Sequence, residues 1–353
     1  EPRVYVGAND GMLHAFDAAT GDEVWAYVPS MLFYKLRLLA GTPYAHRYYV
    51  DGSITVRDAK LNGDWSTVLI GSLGAGGKGL YALDVTDPEF TSELLGGTKL
   101  IGELGADDPD HGNDIGYIFD ATTITQLNDG EWYAINGNGI NSVNGDAKLL
   151  LIKLSTGDVI PISTGTAGSS NGLAAPALVD IDGDDKADIA YAGDINGDMW
   201  KFDLTGTNPN GWGVAYRVFD NNASQPITMA PDITSHPLYG FLVLYGTGKL
   251  YEPNDVYDTT VQALYGIWDK GISPSVSEAQ LLQSLSGELV YDRGTQDQLV
   301  RTFDPVQTLD YSSYNGWYVN LPAGDRVLTQ PAIRTGRLKA TVTNPDGFSN
   351  WFM

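Results

Sequence analysis

Val4-Tyr-Val-Gly-Ala-Asn-Asp-Gly-Met-Leu-His-Ala-Phe-Asp17 decides the fold of this chain. Short strand-like runs flank Asn9-Asp10-Gly11, the pattern of two strands joined by a tight hairpin turn. A second turn at Ala19-Thr20-Gly21 leads into Glu23-Val24-Trp25, a further strand. The same unit recurs along the sequence. Residues 68–71 and 80–85 flank a glycine-rich turn, and 132–136 and 148–154 are followed by Ser-Thr-Gly. Residues 189–193 and 199–204 flank Asp194-Ile-Asn-Gly-Asp198, and 241–246 precede 263–268. Residues 317–321 and 326–330 read as pieces of later units.

The spacing of these units is roughly 40 to 65 residues, the length of a four-stranded propeller blade with insertions. A blade cannot bury both of its faces alone, so the units must stack on one another. The expectation is an all-β, modified β-propeller of about seven blades occupying 1–353 as a single domain. Its composition agrees, with 42 Gly, 20 Tyr and 8 Trp and little helical periodicity. Residues 30–39 could form a helical turn or two, while 106–113 and 204–213 read as polar loops.

Charge and cysteine content exclude several functions. Lys plus Arg number 21 against 44 Asp plus Glu, a formal charge of −23. Such a surface repels nucleic acid and anionic lipid and concentrates cations. The chain has no cysteine, which removes thiolate metal sites, thiol catalysis and iron–sulfur clusters. No apolar run reaches the ~18 residues of a membrane-spanning helix. The sequence opens directly into a strand without a signal peptide and reads as an excised piece of something longer.

The chemistry is concentrated in Asp180-Ile-Asp-Gly-Asp-Asp-Lys-Ala-Asp188. Asp180, Asp182, Asp184 and Asp188 fall at loop positions 1, 3, 5 and 9, and the backbone carbonyl of Lys186 stands at position 7. A tightly turning backbone can aim such alternate oxygens into one cage, which suits a hard cation and calcium best. An acidic surface turn uses the same residue types. Two features depart from the EF-hand pattern: Gly183 stands at position 4 rather than 6, and Tyr191 replaces the Glu of position 12. The expectation is therefore a short calcium loop between strands, without flanking helices.

Several motifs together give the chain a family likeness. Besides residues 4–17 and the 180–188 loop they are His46-Arg-Tyr-Tyr-Val-Asp-Gly52, Gly74-Ala-Gly-Gly-Lys-Gly-Leu-Tyr-Ala-Leu-Asp-Val-Thr86 and Gly137-Asn-Gly139. Tyr191-Ala-Gly-Asp194, Met199-Trp-Lys-Phe-Asp203, Tyr245-Gly-Thr-Gly-Lys249 and Tyr265-Gly-Ile-Trp-Asp269 follow in order. In these the chain resembles the C-terminal propeller of the type IV pilus-associated PilY family of pilus tip and biogenesis proteins. The resemblance implies one bound calcium, with Asp180, Asp182, Asp184 and Asp188 as side-chain ligands and Lys186 as a carbonyl ligand. It also implies a non-enzymatic role in pilus biogenesis, twitching motility and surface attachment, with calcium controlling extension and retraction. Implied partners are type IV pilus components (minor pilins or a tip complex), with a host surface as a further one. The implied location is the bacterial cell surface or pilus tip, reached through the periplasm and outer membrane. The larger N-terminal region of that family and an Arg-Gly-Asp tripeptide are both absent from the sequence. In the family the propeller usually continues past an aromatic strand like Trp351-Phe352-Met353, where this sequence stops.

Other readings compete. One is a glycan- or host-protein-binding adhesin module in which calcium is purely structural. Another is a quinoprotein dehydrogenase, because Ala15-Phe-Asp-Ala-Ala-Thr-Gly21 followed by Trp25 looks like a quinoprotein blade-docking motif. The adjacent cysteine pair common in those enzymes is missing. Gly74–Gly79 satisfies G-x-G-x-x-G but leads into a strand, so it lacks the helix N-terminus that holds a pyrophosphate. Gly168-Ser-Ser-Asn-Gly172 matches G-x-S-x-G within a polar loop, not at a strand-to-helix elbow. His14 reads as a hydrogen-bonded strand residue, and His111 with its acidic neighbours as a solvated loop. Asp194–Asp198 reads as a hairpin turn rather than a second cation loop.

Overall fold

The computed structural model describes residues 2–42, 45–87, 96–221, 225–272, 275–284, 286–292, 297–303, 309–335, 337–345 and 349–352. The chain divides into two compact units, Glu1–Ala190 with Asp203–Val214, and Tyr191–Phe202 with Ala215–Met353.

The first unit contains three antiparallel sheets in chain order. Arg3–Gly7, Leu13–Asp17 and Glu23–Tyr27 form the first, and Ile54–Leu61, Asp64–Ser72, Gly79–Asp84 and Leu100–Gly105 the second. Thr123–Gln126, Trp132–Gly137, Lys148–Lys153 and Val159–Ser163 form the third. The opening hairpin has the register read from sequence, from Arg3 opposite Asp17 to Gly7 opposite Leu13. Gly11 takes the left-handed backbone of its turn at φ 102°.

Strand alternation explains why these sheets stack. In Asp64–Ser72, Leu69 packs with Leu13, Ala15 and Trp25 of the first sheet. Val68 and Ile70 point the other way and pack with Ile124, Ala134 and Leu154 of the third. A strand with both faces buried reads as a continuous apolar run, and Val68-Leu69-Ile70 does. Each such side chain contributes roughly 1.5–3 kcal/mol on burial. Trp25 is therefore part of the packing between sheets, an architectural role for the 15–25 motif.

Asp-turns close an inner strand in three of the sheets. Asp17 Oδ1 accepts from the N–H groups of Ala19 and Thr20, Asp84 Oδ1 from Thr86, and Asp203 Oδ1 from Thr205. Residues 30–39 form the short turns Ser30–Leu32, Phe33–Leu36 and Arg37–Ala40.

The glycine-rich stretch is a matter of backbone packing. A Cβ on Gly76 would stand 1.6 Å from the Tyr49 carbonyl oxygen, and Gly74 has φ +54°. Gly79–Asp84 then continues as a strand, so no helix N-terminus follows for a phosphate. Gly76→Ala is expected to destabilise the chain by about 1–3 kcal/mol through overpacking. A lower urea midpoint at unchanged slope is the readout; an unchanged midpoint would contradict the close approach.

A five-stranded sheet follows in the order Ala177–Val179, Ile189–Gly193, Met199–Asp203, Gly213–Asp220, Val276–Ser277. Another runs Asp232–Ser235, Phe241–Gly246, Ala263–Asp269, Gly316–Asn320, Leu282–Gln283. Ser286–Asp292 pairs with Asp297–Phe303, Ala332–Arg334 with Arg337–Lys339, and Thr341–Asn344 lies between Arg326–Val327 and Ser349–Phe352. The rings of Tyr245, Tyr265 and Tyr318 stack in sequence at 5.3 and 5.8 Å. Among the described residues no helix is long and apolar enough to cross a membrane.

Candidate metal centre

The 180–188 loop leaves Ala177–Val179 and re-enters the sheet at Ile189–Gly193. Two consecutive features bend it back on itself. Gly183 has φ +81° and Asp185 φ +67°, left-handed conformations that Gly adopts freely and Asp tolerates better than most residues. The residue at position 6, where the EF-hand has Gly, is thus an Asp in the same kind of conformation.

The loop's own backbone amides hold the carboxylates in place. Asp180 Oδ1 accepts from Gly183 N–H at 2.7 Å, and its Oδ2 from Asp185 N–H at 2.9 Å. Asp188 Oδ2 accepts from Ile181 N–H at 2.8 Å, tying the end of the loop to its start. Asp182 Oδ1 accepts from Asp184 N–H at 3.3 Å. Asp180, Asp182 and Asp188 consequently offer one oxygen each, all within 4.8 Å of one another. Among the described residues no other set of three His, Asp or Glu converges so closely.

Asp184 and Lys186 are placed differently. The Lys186 ammonium binds Asp184 Oδ2, and the Lys186 N–H donates to Asp184 Oδ1 at 3.0 Å. The Asp184 carboxylate therefore lies outside the convergent three. The Lys186 main chain forms a β-bridge with Gln126, next to the hydrogen bond from Ala187 N–H to the Gln126 carbonyl at 3.1 Å.

The electrostatics follow from these partners. Backbone N–H groups, that of Gly183 foremost, hold the Asp180 carboxyl below its ordinary range. Loss of solvent and the neighbouring Asp184 charge push Asp182 up instead. The hydrogen bond from Lys186 lowers Asp184, and the same contact raises Lys186. A carboxylate raised by its acidic neighbours marks a place where a cation would be welcome. The donor set fits a hard ion: oxygens across a calcium ion stand roughly 4.6–5.2 Å apart.

The family described as the PilY1 beta-propeller domain matches residues 1–290. The chain belongs to that family. It is 39% identical over 405 residues to the type IV pilus biogenesis factor PilY1 of Pseudomonas aeruginosa, covering 99% of this chain and 34% of that protein. A PilY1 homologue of Xylella fastidiosa is 36% identical over 384 residues, covering 99% of this chain and 25% of that protein. The chain thus spans about a third or less of the curated relatives it matches. The crystal structure of the P. aeruginosa PilY1 C-terminal domain superposes with a TM-score of 0.83 at 35% identity, over 100% of this chain and 78% of that one. The β-propeller expected from the repeated hairpins is confirmed.

Within this propeller, two residues supporting the loop were not legible in sequence. Asn128, in the turn after Thr123–Gln126, donates from Nδ2 to Asp188 Oδ1 at 2.8 Å and to the Leu204 carbonyl at 3.0 Å. Gln126 supplies the bridge to Lys186. Asn128-Asp129-Gly130 reads only as a turn, and nothing local signals a partner about sixty residues ahead.

The other candidate groups have structural partners. His14 bonds Glu23 through Nδ1 and Asp10 through Nε2, both at 3.0 Å. Asp108 Oδ1 accepts from the N–H groups of Asp110 and His111, so that acidic stretch folds as a loop turn. Asp194 Oδ2 accepts from Trp200 Nε1 at 2.8 Å and Asp198 Oδ2 from Arg217 at 3.0 Å, leaving Asp194–Asp198 as a hairpin turn.

Proposed function

We propose that this chain is a non-enzymatic, calcium-binding propeller of a type IV pilus biogenesis factor, working at the cell surface with pilus components such as minor pilins or a tip complex. The pilus biogenesis role named for these relatives supports the pilus role. The convergence of Asp180, Asp182 and Asp188 within 4.8 Å is the observation that carries the metal. When bound, calcium supplies a compact double positive charge that neutralises the cluster and crosslinks both ends of the loop. Asp180, Asp182 and Asp188 would hold it, the Lys186 carbonyl would join them, and Asp184 would turn inward on releasing Lys186. That release is cheap, because an exposed ion pair is worth little.

Asp188 and Asn128 link the loop to the turn after Thr123–Gln126, so ordering the loop also stiffens that neighbouring sheet. A pilus partner that prefers the ordered form tightens calcium by the same factor as calcium tightens the partner. In this reading, calcium occupancy biases the balance of pilus extension and retraction, and with it twitching motility and attachment.

The test is a calorimetric calcium titration of the chelator-stripped chain beside Asp180→Ala, with magnesium as control. One saturable site in the native chain, lost in the variant and not filled by magnesium, is the expected outcome. Asp180→Ala in the native full-length protein is then expected to abolish the calcium dependence of twitching. A native chain that takes up no calcium would remove the metal from this reading. Unchanged calcium dependence in the variant cells would remove its regulatory role.

A further inference from the structure

We propose that the cleft between the second and third sheets of the first unit binds an extended basic peptide segment of a partner protein. The site stands apart from the 180–188 loop and does not depend on calcium.

The cleft encloses about 450 Å³. That is the size of a site that takes several side chains rather than a solvent-filled dimple. It exists because small residues stand where large ones would close it. Gly102 lies opposite Ala82 in the sheet, and Ala134 lines the cleft from the facing sheet. A Cβ added at Gly102 meets nothing within 4 Å. Ile101, Ile152 and Val159 complete an apolar floor.

Two further features select the occupant. Leu100–Gly105 and Val159–Ser163 both border the cleft, and each is the last strand of its sheet. Among the described residues no further strand joins either, and Leu100–Gly105 presents an outer backbone edge to which an extended peptide can add, whereas Pro161 leaves Val159–Ser163 without a central N–H donor. The rim carries three carboxylates, of Asp108, Asp110 and Asp158, against His111 and Lys153, while the Glu103 carboxylate is taken up by Tyr27 and Ser30. Lys153 is already engaged with Glu131 at 3.1 Å. The entrance is therefore negative around an apolar floor. An extended segment alternating aliphatic and Lys or Arg residues satisfies all three demands. Its aliphatic side chains fill the space left by Gly102 and Ala134, its backbone pairs with an edge strand, and its long cationic side chains reach the rim carboxylates. An acidic or purely polar segment meets repulsion at the rim, and a compact helix meets no complementary groove wall.

The experiment titrates a fluorescein-labelled, end-blocked (Val-Lys)₃ peptide into the whole chain, with (Val-Glu)₃ as control, following anisotropy. Saturable binding of the basic peptide alone is expected. Amide shifts in ¹⁵N spectra should concentrate in residues 100–105 and 159–163. Gly102→Phe fills the cleft and Asp110→Lys reverses an exposed rim charge without touching the core. Each is expected to weaken binding at least roughly tenfold. Asp180→Ala is expected to leave it unchanged, which separates this site from the calcium loop. If Gly102→Phe does not fold, Asp110→Lys and the amide shifts still decide. No saturable binding to the native chain overturns the proposal. Equal binding of the acidic peptide, full affinity in Asp110→Lys, or amide shifts spread over the whole acidic surface does so too.

Discussion

Asp188→Ala is expected to lose calcium binding and also to destabilise the metal-free chain, whereas Asp184→Ala weakens calcium binding with little cost to the apo form. The difference lies in what each carboxylate does before any ion arrives. Asp188 is 6% exposed, and its two oxygens take the Ile181 N–H and the Asn128 side chain. Removing it leaves two donors unpaired at the junction of loop and sheet, a loss of about 1–3 kcal/mol. Asp184 is exposed and engaged with Lys186 and its N–H, so its removal should stay within about 0.5 kcal/mol. Differential scanning calorimetry in chelator and calorimetric titration after calcium addition separate the two effects. Native affinity in Asp188→Ala would place the ion elsewhere. The raised Asp182 carboxyl adds a pH dependence, because a proton there competes with the metal. Affinity should therefore fall as pH drops toward the carboxylate range, most steeply from the side of Asp182.

Asp269→Ala is expected to give the largest loss of stability, about 3–5 kcal/mol. Its carboxylate is 2% exposed, and the Lys201 ammonium beside it 10%. Asp269 Oδ2 receives Lys201 at 2.9 Å and Tyr191 O–H at 2.5 Å, and Oδ1 receives Tyr216 O–H at 2.6 Å and Gly271 N–H at 2.9 Å. Without it, the buried Lys201 ammonium keeps only the Tyr216 oxygen, and the buried Tyr191 and half-buried Tyr216 hydroxyls lose their acceptor. Asp269→Asn keeps the shape but not the charge, and should fall between Ala and native. Burial by itself would raise the Asp269 carboxyl. The hydrogen bonds from Tyr191, Tyr216 and Lys201 outweigh it and hold the group below its ordinary value.

The sign of the pH effect follows. The contribution of Asp269 is fully present above the unfolded-state value near pH 3.9. It is lost as pH falls through the lower folded value. The native chain should keep this network to more acid pH than an ordinary carboxylate would allow, and Asp269→Ala should flatten that limb of the stability curve. Equal melting temperatures for Asp269→Ala and native chain at neutral pH would show that the network carries no net stability.

Much of this was legible in residue order. The hairpin at 4–17, the both-faces-buried run Val68-Leu69-Ile70 and the Asp-turns are local patterns, because strand alternation and turn chemistry act over a few residues. The loop was legible as well, since its amides reach its own carboxylates within seven positions. Tyr191 illustrates the boundary. Its place at loop position 12 suggested a missing ligand, yet its hydroxyl serves Asp269, 78 residues away.

By itself, then, the sequence determined the all-β class, the repeating hairpins, the acidic loop and the family to which they belong. Only the tertiary structure decided that three of the four carboxylates expected as ligands converge while Asp184 pairs with Lys186. It alone brought Asn128 to Asp188, and left a cleft beside Gly102. The reason is physical: turns and strands follow from neighbouring residues, whereas a cage, a buried charge network or a cleft depends on which distant side chains the stacked sheets bring within hydrogen-bonding reach.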